Sequence, residues 1–145
     1  MQIAHSPLAS LVSAYLIPTE HVGNIWPLVE KYLSAAAERS GEDISQWRNL
    51  LDDGRMQLWI GLHGDLDCDA AVLTEIIERK PGRTCQIVAC GGNRIDRWFH
   101  LLDEIENWAE SEGCVTMRVQ NGRRGWKAML TEYAETGVTL EKRIA

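Results

Sequence analysis

No stretch of this 145-residue sequence approaches the roughly 18 consecutive apolar residues needed to span a membrane. The start, "MQIAHSPLASLVSAYLIP", has neither the basic opening nor the sustained apolar run of a secretion signal, so a cytoplasmic protein is expected. Basic residues are in the minority. Fifteen Lys and Arg face 21 Asp and Glu, a net charge of -6, and this excludes broad, non-specific binding to nucleic acid while leaving a local basic patch open. The four cysteines, Cys68, Cys85, Cys90 and Cys114, include no CxxC pair, the usual announcement of a zinc site. Cys85 and Cys90 are separated by an odd number of positions in one extended segment and are expected to face opposite ways, so four buried free thiols is the reading. There is no internal repeat, low-complexity run or linker.

What is present is an ordinary globular balance, 45% hydrophobic and 25% charged residues. One compact domain over residues 1–145 is expected. "SAYLIP" (Ser13 to Pro18) reads as a first strand closed by proline. In "TEHVGNIWPLVEKYLSAAAERS" Val22, Ile25, Trp26, Val29, Tyr32 and Leu33 recur at helical spacing, with Pro27 near the first turn and Gly41 just past the end. "EDISQWRNLLDDG" repeats the pattern with Ile44, Trp47, Leu50 and Leu51.

"RMQLWIGL" and "CDAAVLTEIIER" read as strands joined by a polar hairpin loop, "HGDLD". After a turn at "PGR", "TCQIVACGG" completes an antiparallel meander. From Arg94 to Glu112, Ile95, Trp98, Phe99, Leu102, Ile105, Trp108 and Ala109 form a helical stripe stopped by Gly113. "CVTMRVQ" is a short strand expected to run parallel to the one before that helix. "NGRRGWKAMLTEYAETG" predicts a turn and a last helix, and "VTLEKRI" a terminal strand. The expected class is α/β (α+β): a mixed, mostly antiparallel central sheet of about six strands with helices on both faces.

This order of elements resembles the GCN5-related N-acetyltransferase (GNAT) superfamily over nearly the whole chain. Three local matches carry the resemblance further. "ACGGNR" lies between the fourth strand and the long helix, where the superfamily binds the pyrophosphate of acetyl-coenzyme A. Asn121 follows the fifth strand, where members hold the pantetheine arm, and Tyr133 precedes Gly137 as in the family's Y-x-x-x-G-F ending. The stretch "GGNRIDRWFHLLDEIENWAESEGC", with "GRRGWKAML", also resembles small GNAT-like proteins of bacteriophages, which implies phage structural proteins as partners and a place in host cytoplasm or virion.

The resemblance implies acetyl-coenzyme A as cofactor and an amine as acceptor. The amides of Gly91, Gly92 and Asn93 would cradle its pyrophosphate at a helix start, with Arg94 and Arg97 pairing to phosphate. Backbone groups of Ile87, Val88 and Ala89 would hold pantetheine and polarise the thioester carbonyl. Tyr133 would be the general acid. Family members often place a glutamate on the fourth strand as base; "TCQIVAC" has none, and Glu75 or Glu78 on the preceding strand, or a water chain, would be the substitute.

The loop departs from the family's Q/R-x-x-G-x-G/A pattern, and Val138 stands where an aromatic residue is usual. Two readings therefore stay open, an N-acyltransferase and a GNAT fold that has lost its chemistry and serves as an interaction or virion component. His63, Asp65, Asp67 and Asp69 are read as hairpin-loop polar residues rather than metal ligands. Arg118, Arg123, Arg124 and Lys127 are candidates for a basic patch beside Trp126, itself read as packing.

Overall fold

A computed structural model describes residues 13–63, 67–80, 82–92, 101–119, 134–136 and 139–145. Strand β1 (Ser13–Ile17) leads through a 3-10 turn at Thr19–His21 into helix α1 (Val22–Ser40). The apolar stripe buries Val22, Val29, Tyr32, Leu33, Ala36 and Ala37. Full burial of Val29 and Leu33 contributes about 2 kcal/mol each. Gly41 ends the helix in the left-handed region, φ 74°, its N–H bonding the Ala37 carbonyl.

Helix α2 (Ile44–Asp52) starts from Asp43, whose side chain accepts from Ser45 N–H at 2.9 Å. The Ser45 hydroxyl donates to the same oxygen at 2.7 Å, and this bond, with the backbone one, holds the Asp43 carboxyl below its usual range.

Strands β2 (Gln57–His63), β3 (Asp67–Arg79) and β4 (Gly82–Gly92) form the expected antiparallel meander. Helix α3 (Leu101–Ser111) then carries the chain across to β5 (Thr116–Val119), which lies parallel to β4. The remaining strands are β6 (Ala134–Thr136) and β7 (Thr139–Arg143), and the sheet order is β1-β2-β3-β4-β5-β7-β6. All pairings except β4–β5 are antiparallel.

Helices cover both faces. Tyr32, Leu33 and Ala36 of α1 and Trp47 and Leu51 of α2 pack with Leu58, Ile60, Ala71, Leu73 and Ala89. On the other face Leu101, Ile105 and Ala109 of α3 pack with Trp59, Val72, Cys85, Ile87, Met117 and Val119. Trp108 meets Trp59 edge-on, centroids 5.3 Å apart.

The expected last helix needs correction at its end. Ala134–Thr136 is a strand, and Thr136 pairs with Thr139 across two residues, Gly137 and Val138. A two-residue link opening on glycine is a hairpin signal, and the ladder wins over helical continuation. Residues 121–133, the rest of that expected turn and helix, lie outside the described residues.

The two cysteines of β4 also need correction. Leu73 pairs with Ala89 but Thr74 with Ile87, so Val88 is an extra residue, a β-bulge. The bulge reverses the alternation, and Cys85, Ile87 and Cys90 all join the α3-side core. Burial pushes the Cys85 thiol up to about 12. Cys90 and Cys114 are buried as well, whereas Cys68 is half-buried. Alkylation of the native protein near neutral pH is expected to reach Cys68 alone, and peptide mapping that finds modified Cys85 would contradict this packing.

Candidate active site

Parallel pairing between β4 and β5 runs from Thr84↔Thr116 to Ile87↔Val119. Beyond Ile87, β4 continues to Gly92 and, among the described residues, pairs only with β3. The bulge residue Val88 is the first one past the end of the parallel ladder. A bulge leaves one residue out of the ladder and bends the strand, so Val88 is left without a registered partner on β3. Unpaired strand backbone of this kind can hydrogen-bond an amide-containing arm or a carbonyl oxygen.

Gly91 and Gly92 lie within β4, registered with Ala71 and Ala70. In antiparallel pairing successive N–H groups alternate between the two edges, so one of these two amides is directed away from β3 and the other into the ladder. Gly91 also has a packing reason to be glycine. A Cβ there would sit 2.6 Å from the Tyr32 carbonyl oxygen. The backbone of α1 lies directly on this part of β4, and Arg39 near the helix end donates to the Cys90 carbonyl at 3.4 Å. Tyr32 in turn donates its hydroxyl to the Cys68 carbonyl at 2.8 Å, pinning α1 to β3.

Glu75 on β3 is half-buried and stands opposite Gln86 of β4. Both belong to the α1/α2 face, since Leu73, two residues before Glu75, packs there while Cys85 and Ile87, flanking Gln86, pack on the other. The register extends from Gln86 to Arg118 on β5 and from Arg118 to Glu141 on β7. Arg118 Nη1 donates to Gln86 Oε1 at 2.6 Å, and its Nε is 3.4 Å from Glu141 Oε1. Arg79 Nη2 pairs with the same Glu141 oxygen. Glu78 is set apart from this row. It is exposed, follows Ile76 on the α3 face, and pairs with Arg83 at 3.6 Å.

Of the residues singled out in the sequence, Glu75, Ile87, Val88, Ala89, Gly91 and Gly92 therefore share one region of β3 and β4. Asn93, Arg94, Arg97, Asn121 and Tyr133 lie outside the described residues, as do Arg123, Arg124, Trp126 and Lys127. His63 ends β2, Asp67 opens β3, and Asp65 is outside the described residues. Asp69 is the extra residue of a second bulge, at Gly61/Leu62, and is buried. Among the described residues no group of His, Cys, Asp or Glu could hold a metal ion, and no helix is long and apolar enough to cross a membrane.

Compared by sequence, the chain matches no protein-family profile and no curated protein. Compared by structure, it superposes on the aminoglycoside 6'-acetyltransferase type Ii with a TM-score of 0.67 at 9% identity, over 91% of this chain and 97% of that one. A ribosomal-protein-alanine N-acetyltransferase from Brucella melitensis biovar Abortus 2308 superposes with a TM-score of 0.62 at 16% identity, over 87% and 92%. An acetyltransferase of the GNAT family from Staphylococcus aureus MU50 gives 0.60 at 9%, over 92% and 99%.

The fold is that of the GCN5-related N-acetyltransferases. The GNAT likeness extends along nearly the full length of these proteins. Two features of this GNAT fold were missed in the sequence. The bulge hides inside "IVAC", where apolar residues occupy both faces and no alternation betrays the extra one. The Gln86–Arg118–Glu141 row depends on pairings between distant segments that no local pattern encodes.

Proposed function

We propose that this chain is an acyl-coenzyme A-dependent N-acyltransferase acting on the amine of a small molecule or a protein. The observation that carries the reading is the likeness of the fold to acetyltransferases, together with the Val88 bulge at the centre of the sheet, next to the last β4–β5 pair among the described residues. Pantetheine, an arm with two amides, suits such strand backbone. Acetyl-coenzyme A would supply the activated acyl group.

In this reading the backbone of Ile87, Val88 and Ala89 binds the arm and donates an N–H to the thioester oxygen as charge develops on it. Glu75 takes the proton from the attacking amine as the C–N bond forms. The C–S bond breaks and Tyr133 protonates the departing thiolate. Phosphate binding falls to Asn93, to whichever of Gly91 and Gly92 directs its amide outward, and to Arg94 and Arg97, with Asn121 on the arm.

Isothermal titration of the folded protein with acetyl-coenzyme A tests this. Micromolar binding that Gly92→Glu abolishes is the expected result, because the new carboxylate would repel the phosphates. A folded protein that takes up no acetyl-coenzyme A at millimolar concentration overturns the reading.

One observation favours a second reading. Packing against Tyr32 alone accounts for Gly91, which weakens the glycine pair as evidence for a phosphate loop. A fold without chemistry would then serve as an interaction component, and the sequence likeness to phage proteins would make its partner a virion protein. Failure of the titration favours this alternative.

A further inference from the structure

Glu75, Gln86, Arg118 and Glu141 occupy one row across β3, β4, β5 and β7, all on the face of α1 and α2. The charges along this row are unequally distributed. Both Arg79 and Arg118 pair with the single carboxylate of Glu141. That group of three carries one net positive charge, and its side chains are 29%, 30% and 26% exposed for Arg79, Arg118 and Glu141. Arg143, on the same face of β7, adds no negative charge; its Nε donates to the Ala145 carbonyl.

Donors also exceed acceptors here. The Nε atoms of Arg79 and Arg118 are buried without a hydrogen-bond partner. Neither guanidinium pairs with Glu75, which stands on the far side of Gln86 from Arg118. Two strand spacings, about 10 Å, separate the Cα atoms of Glu75 and Arg118. Gln86 sits between them, two positions before the bulge.

We infer that the acceptor is a zwitterionic small amine, one that carries a carboxylate or a phosphate as well as its amino group. Its ammonium end is matched by Glu75 and its anionic end by Arg118, with Arg79 adding to the positive potential from behind. With Nη1 donating to Gln86 and Nε buried, the 30% exposed Arg118 guanidinium meets either oxyanion through its remaining nitrogen, Nη2, so the shared chemistry is a charge-assisted hydrogen bond to an oxyanion. The polarity of the row would also orient the amine toward the bulge and away from β7. This inference rests on the acyltransferase reading and narrows its substrate class.

The test uses the full chain saturated with acetyl-coenzyme A and three matched amines: β-alanine, phosphoethanolamine and the neutral β-alaninamide. Binding is followed through the arginine Nε–H resonances and turnover through release of the thiol. One or both acidic amines should shift the Arg118 resonance and exceed the amide by about tenfold or more in apparent affinity, the usual worth of a hydrogen bond to a charged group. Which acid wins distinguishes the carboxylate from the phosphate source.

Arg118→Gln should bring the acidic ligands down to the level of the amide, and Arg118→Lys should restore part of the difference. Glu141→Gln, which unmasks a second cation, should strengthen the preference for acids, a gain that a purely structural role for this row would not produce. Equal binding of all three amines, or no Arg118 shift with either acid, overturns the inference while bound acetyl-coenzyme A leaves the enzyme reading standing. Absence of acetyl-coenzyme A binding removes the enzyme reading and this inference with it.

Discussion

Glu75→Gln is expected to lower kcat roughly a hundred- to ten-thousandfold, the range general-base removal commonly produces, with acetyl-coenzyme A affinity unchanged. The amine must lose a proton as it attacks, and Gln86, the nearest polar side chain on β4, is an amide with no useful basicity. Glu75 is its cross-strand neighbour, with about 5 Å between Cβ atoms expected for such a pair. It is half-buried on the face that carries the row of polar side chains, whereas Glu78 is exposed on the opposite face beside Arg83. Glu78→Gln should therefore leave the rate within about twofold, as surface carboxylates distant from a site do. Thiol release under saturating acetyl-coenzyme A measures both variants. Retention of full activity by the Glu75 variant would move the base to a water or to another residue.

The second large effect concerns stability. Gly91→Ala should destabilise the protein by about 3 kcal/mol, the upper part of the range for overpacking a filled site. The new methyl would meet the Tyr32 carbonyl oxygen at 2.6 Å and the Tyr32 carbonyl carbon and Cβ at 3.2 Å. These atoms belong to the middle of α1 and cannot rotate away as a side-chain tip would. Either α1 lifts or β4 bends, and both responses disturb the packing of Leu33 and Ala89 below. For a chain of this size the thermal midpoint should fall by on the order of 10 °C in calorimetry. An unchanged midpoint would show that α1 is not seated on β4 as described.

Much of the architecture was legible because it is written in local periodicity. The α1 stripe from Val22 to Leu33 and the α2 repeat ending at Leu51 each bury one face, so spacing alone identifies them, and the strands around Trp59 and Val72, buried on both faces, show as runs rich in branched apolar residues. The parallel β5 followed from its place after a crossover helix. What was not legible arises between segments. The bulge is a relation of β4 to β3, invisible in "IVAC" because the strand is apolar on both sides. Arg118 read as part of a basic patch because its carboxylate partner, Glu141, is contributed by the terminal strand. Gly91 read as a phosphate-loop glycine, and only the Tyr32 backbone above it reveals the steric demand. The last helix was extended too far because "TEYAE" has good helical composition, and the pairing of Thr136 with Thr139 outweighs it.

The single parallel pairing has a consequence for the order in which the protein assembles. Strands β2 to β4 form a meander of neighbours that can zip early through short loops, whereas β1 pairs with β2 across a connection that holds α1 and α2, and β6 with β7 is another local pairing. The four registered pairs between Thr84–Ile87 and Thr116–Val119 join these two bodies, and they form only after the α3 crossover has been laid down. A ligand bridging both bodies at this joint would slow amide exchange on each side at once.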